Sequence, residues 1–417
     1  MGESQTRICI SMYLLIMRIL FISQYYPPEI GAAANRIGYF AEYMAKAGHE
    51  VSVLTSVPNY PEGKIYSGFK NKFTVHQQNG VTVYRTRIFF TQKTGALSRL
   101  AHYLSFVSLS HFSHRKIPKP DVIIATSPPL FTGIIGVLFK KRWKVKLITD
   151  IRDIWPDSAQ SVGMVKNRGL LKQGQRLANW IYKNSDHLTV TSPGIQKNLP
   201  HNVHKKISII PNAAELELFR PDINAQHIQK QWNLKNKFVV LYTGNLGLAQ
   251  APEIFIKAAE ELKNEKDILF LMVGSGVFLP QLQEQAQQKN LTNITFTGIQ
   301  SRAHMPEFVA SANVCIIPYK AADTFRRTYP SKMFDYMAGA KPIIINLEGE
   351  ASELIEKAKC GLLAKEEDAH DLAQKILELK AHPDHAKKMG QAGRKFVEKN
   401  FRREVVAKNF EALLLTR

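Results

Sequence analysis

Short, unbroken apolar runs alternate with longer amphipathic stretches along almost the whole chain, and this alternation narrows the fold more than any other feature. The runs at 18–23, 51–55, 81–85, 122–126, 145–150 and 188–192 are rich in apolar residues at successive positions. A strand that is apolar on both faces must be covered on both, which is the condition of a parallel strand between helices. After a break the pattern resumes at 207–211, 239–243, 268–273, 294–297, 314–318 and 342–346. Stretches between them, such as 252–263 and 279–289, carry a helical period. One restart in 417 residues predicts two doubly wound, Rossmann-like α/β domains, 17–200 and 201–400. Residues 401–417 read as a separate amphipathic helix that either crosses back to brace the first domain or caps the second.

In open α/β sheets the ligand lies beyond the carboxyl ends of the strands. The segments 25–35, 126–129, 150–157, 243–250, 274–276, 298–300 and 321–331 therefore come first as site candidates. With two such domains face to face, they converge on an interdomain cleft.

Composition excludes several classes. A chain with 45% hydrophobic and 22% charged residues is globular. Cys9, Cys315 and Cys360 have neither metal nor redox spacing and read as reduced thiols. The formal charge is +21, and its placement is uneven: 63–120 contains ten Lys or Arg and no acid. Lys140, Lys141, Arg142, Lys144 and Lys146 follow. Such a surface attracts anions. No aromatic-basic platform accompanies it, so anionic lipid or diphosphate partners fit better than nucleic acid.

The segment with the most chemistry is Pro330-Ser331-Lys332-Met333-Phe334-Asp335-Tyr336-Met337-Ala338. Proline and serine before helix formers mark a helix start. Free amides and the positive end of the helix dipole suit a diphosphate. Lys332 in the first turn is unfavourable there unless an anion sits beside it. Asp335 lies on the adjoining face, where its carboxylate can accept from ribose hydroxyls. The same residues also suit an ordinary surface helix, and context decides between the two.

That context resembles the retaining GT-B glycosyltransferases of family 4. The helix entry, the acidic residue, Tyr336-Met337-Ala338 and Lys341-Pro342 before a strand are similar to that family's donor-binding signature. Val239 to Gln250, with Gly244 and Asn245, resembles its first donor-domain strand and glycine loop; Leu271 to Gly276 resembles the second. Ile294 to Ile299 resembles the strand and turn that face the nucleobase. Tyr25 to Ala32, including Gly31, then Asn35-Arg36, resembles the mobile N-terminal loop. The likeness runs from about Met17 to the C-terminus.

The resemblance implies a GT-B fold, a nucleotide-sugar donor that is UDP-linked, and transfer with retention. It implies donor contacts from Gly31, Gly244, Asn245, Gly276, Ile299, Ser331, Lys332 and Asp335, and acceptor contacts from Tyr25, Asn35 and Trp155. Serine, proline and aromatic residues at 127–131, with Asp153-Ile154-Trp155-Pro156, bring the chain near the WbuB-like transferases. Those build bacterial surface polysaccharides such as capsule or O-antigen, often with HexNAc or aminodeoxy sugars.

Two departures matter. Family members often carry a second glutamate eight positions before the acid in the donor helix, where Arg327 stands here. Many place Arg and Lys in the first glycine loop, where Asn245 and Gln250 stand. Arg326, Arg327 and Lys332 are therefore expected to supply the charge that meets the diphosphate. Gly339-Ala340 also inverts the usual order of small residues.

Asp150, Asp153 and Asp157 cluster with Arg152 and Trp155 at a strand end. Asp153 is the candidate to orient or deprotonate an acceptor hydroxyl; the same carboxylates also suit a helix cap paired with Arg152. No Asp-x-Asp motif or histidine metal spacing occurs, so neither a metal nor any cofactor beyond the donor is expected.

Leu97, Leu100, Ala101, Leu104, Val107 and Phe112 recur at near-helical spacing beside Tyr103 and Phe106, flanked by Arg99, His102, His111, His114 and Arg115. They read either as an interfacial helix near a polyprenyl-diphosphate-linked or saccharide acceptor, or as an ordinary core-facing helix. With the acid-free stretch beside them, a cytoplasmic enzyme peripheral on the inner membrane face is expected. Residues 1–16 read as an upstream start or loose extension. The apolar run Ile8 to Ile22 is broken by Arg18 and is too short to span a bilayer.

A nucleotide-sugar epimerase and a non-catalytic assembly scaffold remain as rival functions. A Rossmann oxidoreductase fails, because no third glycine follows Gly274-Ser275-Gly276 at the fingerprint spacing.

Overall fold

The computed structural model describes residues 16–60, 63–89, 96–165 and 167–415, without the side chains of residues 96, 97 and 99. Cys9, the extension before residue 16, Lys93 and the side chains of Leu97 and Arg99 lie outside the described residues.

Two sheets account for the alternation. The first holds β1 (Arg18–Ile22), β2 (Glu50–Ser56), β3 (Thr74–Gln78), β4 (Val81–Thr86), β5 (Val122–Ser127), β6 (Lys146–Ile151), β7 (His187–Val190) and β8 (Ile207–Ile209). Its order is β3-β4-β2-β1-β5-β6-β7-β8. The second holds β9 (Phe238–Thr243), β10 (Ile268–Val273), β11 (Ile294–Gly298), β12 (Val314–Ile317), β13 (Ile343–Ile345) and β14 (Gly361–Leu363), in the order β11-β10-β9-β12-β13-β14. Every pairing is parallel except β3 with β4.

Continuous apolarity has the expected consequence. Val239 and Leu241 of β9 enter one buried cluster, while Val240 and Tyr242 enter the cluster on the other face. In β1, Ile19 and Phe21 face one core and Leu20 and Ile22 the other. These central strands are thus sealed on both sides, as parallel strands between helices must be.

One strand changes place. The sequence assigns 207–211 to the second half, but Ile207–Ile209 pairs in parallel with β7 and closes the first sheet. The break near residue 200 is a short helical turn, His201–Lys206, between two strands of one sheet. The chain leaves for the second domain only after Ile210, whose amide still bonds the Val190 carbonyl.

The last helix, Arg403–Leu415, crosses back to the first domain. Phe410 sits edge-on to Phe40 at 4.8 Å, and Lys146 Nζ donates to the Leu413 carbonyl at 2.8 Å. His49 joins it: Nδ1 takes the Met17 amide at 3.2 Å, so Nε2 carries the proton donated to Glu411 at 2.9 Å.

Candidate active site

A cleft of about 430 Å³ opens between the two sheets at the carboxyl ends of their strands. It is lined by Gly31 and Asn35 from the first domain and by Gly244, Asn245, Ile299, Ser331, Lys332 and Asp335 from the second. These residues, far apart in sequence, meet because both sheets point the same ends inward.

The helix Ser331–Ala338 begins at Pro330, which has no side chain to cap it, so its first amides face the cleft uncapped. Lys332 projects from that first turn. Its Nζ lies 3.8 Å from the centre of the Tyr242 ring, and no carboxylate pairs with it among the described residues. Burial lowers the ammonium from its ordinary value to about 7. A half-buried cation on an aromatic face, without a counter-ion, is a receptor for an anion.

Two tyrosines fix the loop opposite. The Tyr336 hydroxyl takes the Thr243 amide at 2.8 Å, and Tyr242 Oη donates to the Asn245 carbonyl at 2.5 Å. Gly244 is in the left-handed region, with φ 130°, and a Cβ there would stand 3.0 Å from Lys332 Nζ. Gly244→Ala is expected to lower stability by roughly 1–3 kcal/mol through backbone strain and to push Lys332 from its position. Thermal unfolding with and without nucleotide checks this: both the melting temperature and the nucleotide-induced rise should fall.

Gly276 does not line the cleft. A Cβ there would meet the Leu246 carbonyl at 2.3 Å, so its smallness lets two glycine turns pack backbone to backbone, and Ser275 faces the cleft instead.

Two expected charge suppliers are elsewhere. Arg326 bonds both oxygens of Glu366, at 3.0 and 2.5 Å, and Asp323 at 2.9 Å, so its charge is already answered. Arg327 packs against the first domain: its carbonyl accepts from the Ser192 hydroxyl, and a Cβ on Gly194 would come within 2.8 Å of it. Position 327, where the resemblance led an acid to be expected, is here a contact between the domains.

Asp335 is not solitary. Arg302 grips both of its oxygens, at 2.9 and 3.2 Å. Burial still raises its carboxyl above the ordinary value, with Arg302 opposing. Arg302, Glu215 and Arg403 also line the cleft, and none was singled out from sequence.

In the first domain, Tyr39, Phe40 and Tyr60 line the cleft, and Tyr25, which does not, lies 5.1 Å from the Tyr60 ring. Glu29 holds this corner by accepting from the amides of Tyr26, Asn59 and Tyr60 at 3.2, 2.9 and 3.0 Å. Burial raises its carboxyl to about 7 despite those bonds.

Asp153 and Trp155 lie outside the lining. Trp155 packs on Phe131 at 6.0 Å and beside Gly174. Burial raises the Asp153 carboxyl to about 6, and its Oδ1 has no hydrogen-bond partner. Its charge is felt by Tyr319, which does line the cleft. Asp150, its neighbour in sequence, is structural. Burial pushes that carboxyl up, but Arg36 and the Thr189 hydroxyl outweigh it and hold it below the ordinary range. Among the described residues no group of three His, Cys, Asp or Glu is placed to hold a metal.

Comparison with known proteins gives matches across both domains. Residues 31–213 match the glycosyl transferase 4-like domain, and 224–396 match the glycosyl transferases of group 1. WcaI of Escherichia coli K12, named for colanic acid biosynthesis, is 27% identical over 94% of this chain and 98% of its own. The glycosyltransferase WbjE of Pseudomonas aeruginosa is 25% identical over 62% of this chain and 66% of its own. Among solved structures, sucrose-phosphate synthase of Thermosynechococcus elongatus superposes with a TM-score of 0.75 at 21% identity, over 95% of this chain and 97% of that one. HepE of Anabaena, in complex with UDP and glucose, superposes with a TM-score of 0.72 at 16% identity, over 96% and 100%.

Proposed function

Because the chain belongs to the family 4 glycosyltransferases of the GT-B fold, we propose that it builds surface polysaccharide from a UDP-linked HexNAc or aminodeoxy sugar. The acceptor is a saccharide or a polyprenyl-diphosphate-linked saccharide, and the anomeric configuration is retained. The observation that carries the reading is Lys332: an unpaired ammonium in the first turn of an uncapped helix, facing the cleft.

The diphosphate lies on the Ser331–Lys332 amides and the Lys332 ammonium, against the Gly244–Asn245 turn. The base lies by Ile299 and the ribose by Asp335. As the bond from the anomeric carbon to the diphosphate oxygen breaks, charge builds on the leaving nucleotide, where preorganised amides and one cation stabilise it best. The acceptor oxygen bonds to the same carbon on the face the diphosphate leaves, so that the configuration is retained, and its proton passes to the departing phosphate oxygen. Asp153, the carboxyl expected to orient that hydroxyl, lies outside the cleft lining and takes no part in the step. The amides and the cation meet the diphosphate charge without a metal, so activity should survive a chelator.

Thermal-shift measurements with UDP-, GDP- and dTDP-sugars test the donor site, since a ligand that binds only the native state raises its stability. Stabilisation by UDP-sugars is expected; stabilisation by GDP-sugars alone would overturn the UDP assignment. Labelled donor should deliver its sugar to a saccharide or lipid-linked acceptor, and label recovered only as free sugar would sink transfer.

Peripheral attachment to an anionic membrane belongs to the same proposal. The helix Ala96–Ser113 turns Phe106 into the core and leaves Leu104 and Phe112 43% and 62% exposed, next to exposed Arg115, Lys116 and Lys119. No helix among the described residues is long and apolar enough to cross a membrane. A basic residue near an anionic surface contributes roughly 1 kcal/mol. Sedimentation with vesicles containing phosphatidylglycerol should therefore capture the protein, less so for Leu104→Ser with Phe112→Ser, and not at all with neutral vesicles.

A further inference from the structure

Four side chains that line the cleft form a chain of alternating charge whose ends lie in different domains. Asp335 receives both Nη atoms of Arg302. Arg302 Nη2 also bonds Glu215 Oε1 at 2.6 Å, and Glu215 Oε2 meets Arg403 Nη1 at 2.5 Å. Arg403 ends the chain on the first domain, where it donates to the Asn35 carbonyl at 3.2 Å and lies 3.8 Å over the Tyr39 ring. Phe219 backs Arg302 at 4.8 Å. Glu215 stands on the segment leaving the first sheet and Arg403 on the segment returning to it. The two segments run together through the Ala214–Arg402 bridge. Both interdomain crossings are therefore joined at this one cluster.

We infer that Arg302 is the positioning residue for ribose recognition, and that Glu215 and Arg403 tie it to the first domain so that the domain arrangement sets the ribose-binding carboxylate. This rests on the donor-site reading above. An ionised carboxylate has about four acceptor positions, and the guanidinium fork takes two of them in one plane. The remaining positions of Asp335 are left for hydroxyls in the cleft, in an orientation the side chain alone does not fix. Two acids and two arginines cancel, so the cluster is no general attractor of anions; that task falls to Lys332. Nor is Arg302 free to clamp the diphosphate, since it would have to abandon two carboxylates.

The test compares affinities of the full chain for UDP and 2′,3′-dideoxy-UDP by calorimetry, with GDP and its dideoxy form as a second pair. The wild type should prefer the hydroxylated nucleotide by roughly tenfold or more, the worth of a hydrogen bond to a charged group. Arg302→Met and Glu215→Gln should each bring that ratio close to one while dideoxy binding changes little, and Arg302→Lys should keep part of it. A merely structural role would weaken both nucleotides alike. An unchanged ratio in a folded Arg302→Met protein overturns the inference; if that variant does not fold, Glu215→Gln decides in the same way. A wild type that binds both forms equally overturns the inference together with the ribose placement at Asp335, and leaves the diphosphate site at Lys332 standing. One that binds neither pair overturns the donor-site reading, and this one with it.

Discussion

Replacing Lys332 with methionine is expected to lower kcat/KM for the nucleotide sugar by about 10²–10³, the usual loss when one preorganised donor to a developing charge is removed. Methionine keeps most of the apolar stem and deletes the ammonium that sits over the Tyr242 ring. The fold should therefore survive, and both KM and kcat should worsen, because the charge acts on the bound diphosphate and more strongly on the leaving one. A folded Lys332→Met protein with unchanged kcat/KM would remove the central support of the donor site.

The same residue gives the reaction a pH signature. Without donor, burial lowers the Lys332 ammonium to about 7. A bound dianion favours the protonated form, so donor binding takes up a proton once the free protein has lost it. Affinity should be constant below about pH 7 and fall above it, by at most about tenfold per unit for one proton. The donor itself, a diphosphate diester, has no phosphate proton to lose in that range. Calorimetry in buffers of different ionisation enthalpy reads the uptake directly, and Lys332→Met should abolish it. The stability of the unliganded protein carries the opposite mark. Between about 7 and the unfolded value near 10.4, the unfolded chain holds a proton the native one lacks, so this group's contribution grows as pH rises through that window.

How much of this was legible in the sequence depends on the range over which each feature is encoded. The strand runs were readable because a doubly covered strand is apolar at consecutive positions, a local property. β3 was missed for the same reason: Thr-Val-His-Gln-Gln has a single apolar residue and alternates half-buried with exposed positions at a sheet edge. β14 was missed because three residues carry too little pattern. Ile207–Ile209 was assigned to the wrong sheet, since composition marks a pause in the chain and not which edge the next strand joins. Lys332 and Gly244 announce themselves by a helix start and a glycine turn. Arg302 and Glu215 do not: 87 residues separate them, and only the fold brings them together. Arg326 misled for the converse reason. Its partner Asp323 is one turn away, but Glu366, which takes the other side of the guanidinium, lies 40 residues on.

The largest loss of stability is expected from Arg36→Met. Arg36 and Asp150 are buried almost completely, with side-chain exposures of 4% and 0%, and are joined at 3.0 and 2.9 Å. Thr189 adds a bond to Asp150 at 2.7 Å, and the guanidinium also takes the carbonyls of Ile210 and Pro211 at 2.7 and 2.9 Å. Removing the arginine leaves a buried carboxylate with the Thr189 hydroxyl but no charge partner, and two carbonyls without this donor, at a cost of about 3–5 kcal/mol. Lysine should not rescue it, because a point charge cannot satisfy both carboxylate oxygens and both carbonyls. The wild-type pair contributes above the ordinary carboxylate range and is lost as pH falls through the depressed value of Asp150. Without Arg36 that carboxyl rises, so the gap between wild type and variant should narrow as pH drops towards about 4. Urea unfolding at pH 7 and pH 4.5 measures both effects. A loss below about 1 kcal/mol at pH 7, or a gap that widens in acid, would show that the pair is not what fixes the crossing. Because Ile210 and Pro211 are where the chain leaves the first domain, the variant should also weaken donor binding, without touching any donor-binding residue of the second domain.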